Sequence, residues 1–212
     1  MQGIMFIEDL TIATMEGRKG MTRRVIDPQP RGDLHGYSGN LNTKTGENRI
    51  FADFTCGTTS YPKYKVGEVL YIKEPWAEWF GGRVIYQYDA TDAEANDWQF
   101  HNVKWNNKQG MPARFARTFI RITGVNAERL QDITEEDAIR EGVMPFGSGS
   151  GRWVCYDKAR CRRAAKMDGY AFCGSACSSF SSLWDSLANP GQKWEDNPWV
   201  WVYDYELTTK PE

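Results

Sequence analysis

Trp199-Val200-Trp201-Val202-Tyr203-Asp204-Tyr205-Glu206-Leu207 sets an aromatic ring on every second residue four times in succession. A period of two is the period of a β-strand, so Trp199, Trp201, Tyr203 and Tyr205 share one face. Rings of that size bury most of their area only against a second layer. The stretch therefore predicts a strongly patterned strand and a fold organised around a sheet.

Working back toward the N-terminus, Arg114 to Ile122 alternates in the same way. Phe115, Arg117, Phe119 and Arg121 point one way, and Ala116, Thr118, Ile120 and Ile122 the other, which predicts a strand with its apolar face in the core. Gly67 to Glu74 is a strand by composition. Trp76 to Phe80, Gly81-Gly82 and Arg83 to Asp89 predict a hairpin, because paired glycines suit a primed turn. Residues 1–16 read as a short strand and a helix closed by Gly17. Thr134 is a good N-cap for a helix that Gly142 ends, with Asp137 at the capping-box position. Phe180, Leu183, Trp184 and Leu187 lie at helical spacing, and Asn189-Pro190-Gly191 stops that helix.

Residues 27–62 are rich in Gly, Asn, Asp, Thr and Pro, and residues 146–177 in Gly, Ser, Cys and basic side chains. Both read as insertions, and 91–112 as a further polar loop. Several strands with a few short helices predict an α+β chain, a single domain over 1–212 with a small curved or closed β-sheet. No Gly-x-Gly-x-x-Gly or phosphate-loop pattern occurs, which argues against a nucleotide-fold enzyme.

The 212 residues carry 41% hydrophobic side chains and a net charge of −2. That composition supports a real core and excludes a disordered chain. It also excludes a global positive field holding long nucleic acid, so any such contact must be local. Two basic patches qualify: Arg18, Lys19, Arg23 and Arg24, and Lys158, Arg160, Arg162, Arg163 and Lys166. No apolar run approaches a membrane span, and Met1-Gln2-Gly3-Ile4 lacks a signal-peptide layout, so the expectation is a cytoplasmic protein without a membrane partner. The two histidines, His35 and His101, lack the neighbours of a triad or a metal site.

Gly17-Arg18-Lys19-Gly20-Met21-Thr22-Arg23-Arg24 packs a lysine, a hydroxyl three residues on and three arginines into one run. Neighbouring cations push a lysine toward its neutral form. A neutral lysine can act as a base toward a threonine hydroxyl, and arginines can hold a phosphate or an oxyanion. The plainer reading is a solvated basic turn. Cys155, Cys161, Cys173 and Cys177 follow a Cys-x5-Cys-x11-Cys-x3-Cys spacing. Four thiolates can bind a structural zinc, although neither pair has the common two-residue gap; unligated thiols are the alternative.

Three stretches together resemble the ASCH family. Gly17-Arg18-Lys19-x-x-x-x-Arg24 is similar to its Gly-x-Lys-x-x-x-x-Arg signature, Gly67-Glu68-Val69-Leu70 to its Gly-Asp-x-Leu turn, and Leu130 to Gly142 to its helix. The closing segments Leu183-Trp184-Asp185-Ser186 and Asn197-Pro198-Trp199-Val200-Trp201 resemble the phage and prophage branch. The resemblance implies a PUA-like small β-barrel with flanking helices and an association with RNA. One bacterial branch hydrolyses N4-acetylcytidine, and its lysine, threonine and glutamate resemble Lys19, Thr22 and Glu141 here.

The expectation is thus an amidohydrolase on an N4-acylated or otherwise modified cytidine or pyrimidine nucleoside, with no cofactor required for catalysis. Lys19 would deprotonate Thr22 or, with Glu141, activate water directly. Glu141 would orient Lys19 or protonate the departing amine, and Arg24 or backbone N–H groups would hold the oxyanion. Arg18, Arg23, Arg24, Glu74 and Trp76 are the expected substrate-binding residues. Glu74 can accept from the amino edge of a cytosine or pair with a signature arginine, and Trp76 and Trp79 can stack a base or fill the core. The alternatives are a non-catalytic module that binds RNA, DNA or a modified base, and a ribonuclease.

Overall fold

The computed structural model describes all residues except 31–33, 38–49, 54–57, 80–81, 90–102, 148, 167–168 and 212. The chain divides into two compact units. The first comprises Met1–Gly17, Glu68–Arg121 and Glu206–Glu212, and the second Arg18–Gly67 and Ile122–Tyr205.

In the first unit, strand β1 (Gln2–Met5) runs parallel to β6 (Val69–Lys73), with Ile4 opposite Ile72. The other edge of β6 pairs antiparallel with the start of β9 (Phe119–Arg129), Leu70 opposite Ile120. Leu70, Ile72 and Ile120 are fully buried. A strand with neighbours on both edges and layers on both faces reads as a continuous apolar run, and Val69-Leu70-Tyr71-Ile72 is one. Helix α1 (Glu8–Met15) opens with Glu8 and Asp9, which favour the positive end of the helix dipole. It closes where Gly17 takes φ +75°, a left-handed conformation that glycine adopts without cost. The hairpin is present as β7 (Trp76–Trp79) and β8 (Arg83–Tyr86), paired antiparallel.

In the second unit, β2 (Met21–Val25) pairs antiparallel with β12 (Trp199–Thr208), placing Thr22 opposite Tyr203 and Arg23 opposite Val202. The four alternating aromatics of β12 are all buried. Helix α2 (Glu135–Arg140) begins as its sequence implies, with the Thr134 hydroxyl accepting from Asp137 N at 3.1 Å. Helix α4 (Ala176–Leu187) starts four residues before its apolar spacing does, because the Ser175 hydroxyl caps it by accepting from Ser178 N. Between them lie the short pair β10 (Trp153–Val154) and β11 (Phe172–Cys173) and helix α3 (Lys158–Ala165).

The structure corrects the sequence reading at several points. The stretch 27–62, expected as a loop, carries β3 (Leu34–Tyr37), β4 (Ile50–Asp53) and β5 (Thr58–Ser60) in an antiparallel sheet ordered β3-β4-β5. The strand expected over 114–122 starts only at Phe119, after a 3-10 turn at Ala113–Phe115, and continues to Arg129. The expected loop over 91–112 lies largely outside the described residues.

The barrel is the main correction. The five-stranded mixed sheet is ordered β1-β6-β9-β12-β2, so β1 and β2 are its edges and it is open among the described residues. A barrel requires the two outer strands to pair with each other, and here they do not. The α+β class stands; the PUA-like closure does not. Among the described residues, no helix is long and apolar enough to cross a membrane.

Candidate functional site

Lys19 is turned inward by the residue that follows it. Gly20 N donates to Arg140 O at 3.0 Å, and Gly20 O accepts from Tyr205 N at 3.0 Å, which pins the entry to β2 against the end of α2. The Lys19 side chain then reaches the residue just past α2. Its Nζ donates at 2.7 Å to each of Met21 O, Glu141 O and Glu141 Oε2. Lys19 is 2% exposed and Glu141 3%.

Arg23 enters the same cluster from one turn of pleat further along β2. It donates to Glu128 Oε1 from Nε (3.0 Å) and Nη2 (2.6 Å), to Asp137 Oδ2 (3.3 Å) and to Glu141 Oε1 (3.2 Å). Asp137 and Glu141 stand four residues apart, so both carboxylates project to one side of α2. Arg140, from the same helix, pairs with Asp204 of β12 at 2.6 Å. Two buried cations thus face three carboxylates, and the Glu141 carboxylate bridges both cations with one oxygen each.

Burial strips the Lys19 ammonium of hydration and pulls its pKa below 10.5, with the Glu141 charge acting in the opposite direction. Burial also acts downward on Arg23, but Glu141, Glu128 and Asp137 outweigh it and hold the guanidinium above its ordinary value. An ammonium has three N–H donors and Nζ has three acceptors at hydrogen-bond distance, so this geometry fits the charged amine. A neutral amine would face one of those oxygens with its lone pair. The arrangement is first of all a polar lock between β2 and α2.

Thr22 is not turned toward that lock. Neighbouring residues of a strand point to opposite faces, and Arg23 takes the Glu141 face. Thr22 is buried on the other face, with its register partner Tyr203. There the Tyr203 hydroxyl accepts from Lys63 N at 3.0 Å and its ring meets Tyr64 edge-on at 5.2 Å. Of the three expected catalytic residues, the structure brings Lys19 and Glu141 into contact and directs Thr22 elsewhere. Arg18 and Arg24 are exposed.

Glu74 and Trp76 belong to the first unit. Glu74 is 0% exposed, and both its oxygens accept from Arg117, Oε1 from Nε at 3.1 Å and Oε2 from Nη2 at 2.7 Å. Arg117 continues to Asp89 at 2.6 Å and lies 4.0 Å over the Tyr86 ring. The salt bridge weighed for Glu74 therefore exists, but to Arg117 and not to a signature arginine. Trp76 packs on Phe115 with ring centroids 4.6 Å apart, while its buried indole N–H has no hydrogen-bond partner among the described residues. Sequence reasoning missed Arg117, Glu128 and Asp137. No local pattern signalled the Arg117–Glu74 pair, whose members stand 43 positions apart, with Arg117 just ahead of β9.

The cysteines of the second insertion are free thiols. Cys161 Sγ lies 3.2 Å from Cys155 O, and burial together with the Cys155 thiol pushes the Cys161 and Cys173 thiols up. Cys177 stands in the first turn of α4. Its thiol meets Glu135, whose carboxylate also accepts from Ala176 N (2.7 Å) and Cys177 N (3.3 Å) at the start of α4. Among the described residues, no group of three or more His, Cys, Asp or Glu side chains is placed to hold a metal ion. Of the histidines, His35 falls in β3 and His101 lies outside the described residues.

No family model, curated protein or solved structure matches the chain. With the open sheet, this overturns the expected ASCH, PUA-like membership of a phage or prophage branch. The roles carried over with that membership lose their family support, and each residue stands on its own geometry.

That geometry includes a second charged feature, helix α3. Asp157 caps it, accepting from Ala159 N (2.8 Å) and Arg160 N (3.0 Å). Lys158, Arg160, Arg162, Arg163 and Lys166 are all exposed, whereas Cys161 and Ala164 form its half-buried seam. Lys158, Arg162 and Lys166 recur every fourth residue and so form one row, about 12 Å long at 1.5 Å per residue. None of the five makes an ion pair among the described residues.

Proposed function

We propose that this chain binds nucleic acid through the phosphate backbone, with α3 as the contact. One observation carries the reading: Lys158 to Lys166 holds five exposed cations and no acidic side chain. In the Lys19 cluster Glu141, Glu128 and Asp137 pair with the cations; on α3 the capping Asp157 acts only on Arg160 and Arg163 among the described residues and leaves the row of Lys158, Arg162 and Lys166 facing solvent. Arginine and lysine in a row replace condensed counterions along a phosphate chain, and their release drives binding. The net charge of −2 confines attraction to this local surface.

The test is fluorescence anisotropy of a labelled oligonucleotide across a salt series. Three to five phosphate contacts give a slope of log K against log salt between about −2 and about −3.5. Absence of binding at low salt would refute the reading.

A second reading rests on the 2.7 Å Lys19–Glu141 contact. It is hydrolysis of an acyl amide on a modified pyrimidine nucleoside, with Lys19 and Glu141 activating water. Incubation with N4-acetylcytidine followed by chromatography tests it: release of cytidine that Lys19→Ala abolishes supports it, and an unchanged substrate removes it.

A further inference from the structure

Beside α3 the second insertion displays aromatic rings. Phe146 N donates to Arg152 O at 2.7 Å and Val154 N to Met144 O at 2.9 Å, which fixes residues 144–146 along β10. With β11 paired on the other side, Phe146 and Phe172 come within 6.2 Å between ring centroids. Tyr170 joins them, 5.8 Å from Phe146, and the Arg152 guanidinium lies 4.0 Å over Phe172. Tyr170 is 78% exposed, the most exposed of the large hydrophobic residues among those described. It lies four positions past Lys166, the cap of α3, and its neighbour Gly169 donates from N back to Ala164 O at 3.0 Å, which ties it to the helix end.

Tyr170, Phe146 and Phe172 form a cluster of rings rather than one scattered apolar side chain, and such a patch marks an interaction surface. Cations that track a phosphate chain, next to aromatic rings that present a π-face, are the two parts of a single-strand site. Duplex DNA keeps its bases stacked and offers such a ring nothing to stack on.

We infer that the insertion is a single-strand binding surface: α3 holds the phosphates, and Tyr170, backed by Phe146, stacks an unpaired base. The inference rests on the nucleic-acid reading above and narrows its ligand to single-stranded RNA or DNA.

The experiment compares labelled oligonucleotides of about 12 nucleotides, within the usual site sizes, as single-stranded RNA, single-stranded DNA and DNA duplex. The proteins are wild type, Tyr170→Ala and Tyr170→Phe. The expected result is tighter binding of at least one single strand than of duplex. Tyr170→Ala should lose about tenfold on that strand, with its salt slope unchanged and Tyr170→Phe near wild type. The two single-stranded arms show which sugar is preferred. Equal binding of single strand and duplex, or a Tyr170→Ala affinity equal to wild type, would overturn the single-strand inference while salt-dependent binding left the parent reading intact. No binding to any of the three would overturn both.

Discussion

Lys19 meets Glu141 twice: one Nζ donates to the backbone carbonyl and to Oε2 of the same residue, each at 2.7 Å. Both side chains are almost wholly withdrawn from water. Removing one member of such a pair leaves an uncompensated buried charge, which costs about 3 to 5 kcal/mol. Arg23 still holds Glu141 when Lys19 is gone, so Lys19→Met falls at the lower end of that range. Glu141→Leu falls at the upper end, because it strands Lys19 and deprives Arg23 together. The double variant should lose less than the sum by more than about 1 kcal/mol. Urea unfolding of the four proteins measures this, and strict additivity would show that the contact does not couple the two.

Thr22 lies across the strand from that pair. Thr22→Val should change stability by no more than about 1 kcal/mol and leave the Lys19–Glu141 coupling as it is. The same urea series checks it. A loss as large as that of Glu141→Leu would place the hydroxyl inside the polar cluster.

Glu74 is fully buried and depends on Arg117 for both oxygens. Arg117→Met should therefore cost about 3 kcal/mol or more. Adding Glu74→Met should restore much of the loss, since two apolar side chains can replace a buried pair. Thermal melts of the single and double variants decide it; a double variant worse than Arg117→Met would contradict the pairing.

Cys177 and Glu135 give the protein opposite responses at the two ends of the pH scale. Burial, then Glu135, pushes the Cys177 thiol from 9.0 up to about 11. Between those values the folded chain keeps a proton that the unfolded chain has released, so stability falls as pH rises from 9 to 11. Burial raises the Glu135 pKa, but the Cys177 thiol and the backbone N–H groups of Ala176 and Cys177 outweigh it and hold the carboxyl below 4.5. Its contribution is present above 4.5 and is lost as pH falls through the lowered value. Cys177→Ser should flatten the alkaline limb and Glu135→Gln the acid one. Unfolding midpoints against pH read both, and unchanged limbs would exclude the contact as their source.

What could be read from the sequence was local. The period-two aromatics of β12 and the Thr134 cap of α2 each act within a few residues, and each marks its element. Sheet closure is decided by pairings such as Gln2 with Leu70, which no local pattern encodes. The meeting of Lys19 with Glu141, 122 positions apart, came from a resemblance that the structure does not support as a family relation. The opposite facing of Thr22 and Arg23 follows once 21–25 is a strand, and that strand was not read from the basic run. The strands within 27–62 carry so many turn-forming residues that composition outweighed their short extended runs. Helix α3 was seen as a basic patch but not as a helix, since its seam is only Cys161 and Ala164.

The central claim is that the cation row on α3 meets phosphates. Lys158→Gln, Arg162→Gln and Lys166→Gln together remove one side of that helix without touching its seam. Binding of a labelled single strand, followed from low to moderate salt, should weaken, and the slope of log K against log salt should become less negative by about 2. A triple variant with the affinity and slope of wild type would contradict the account.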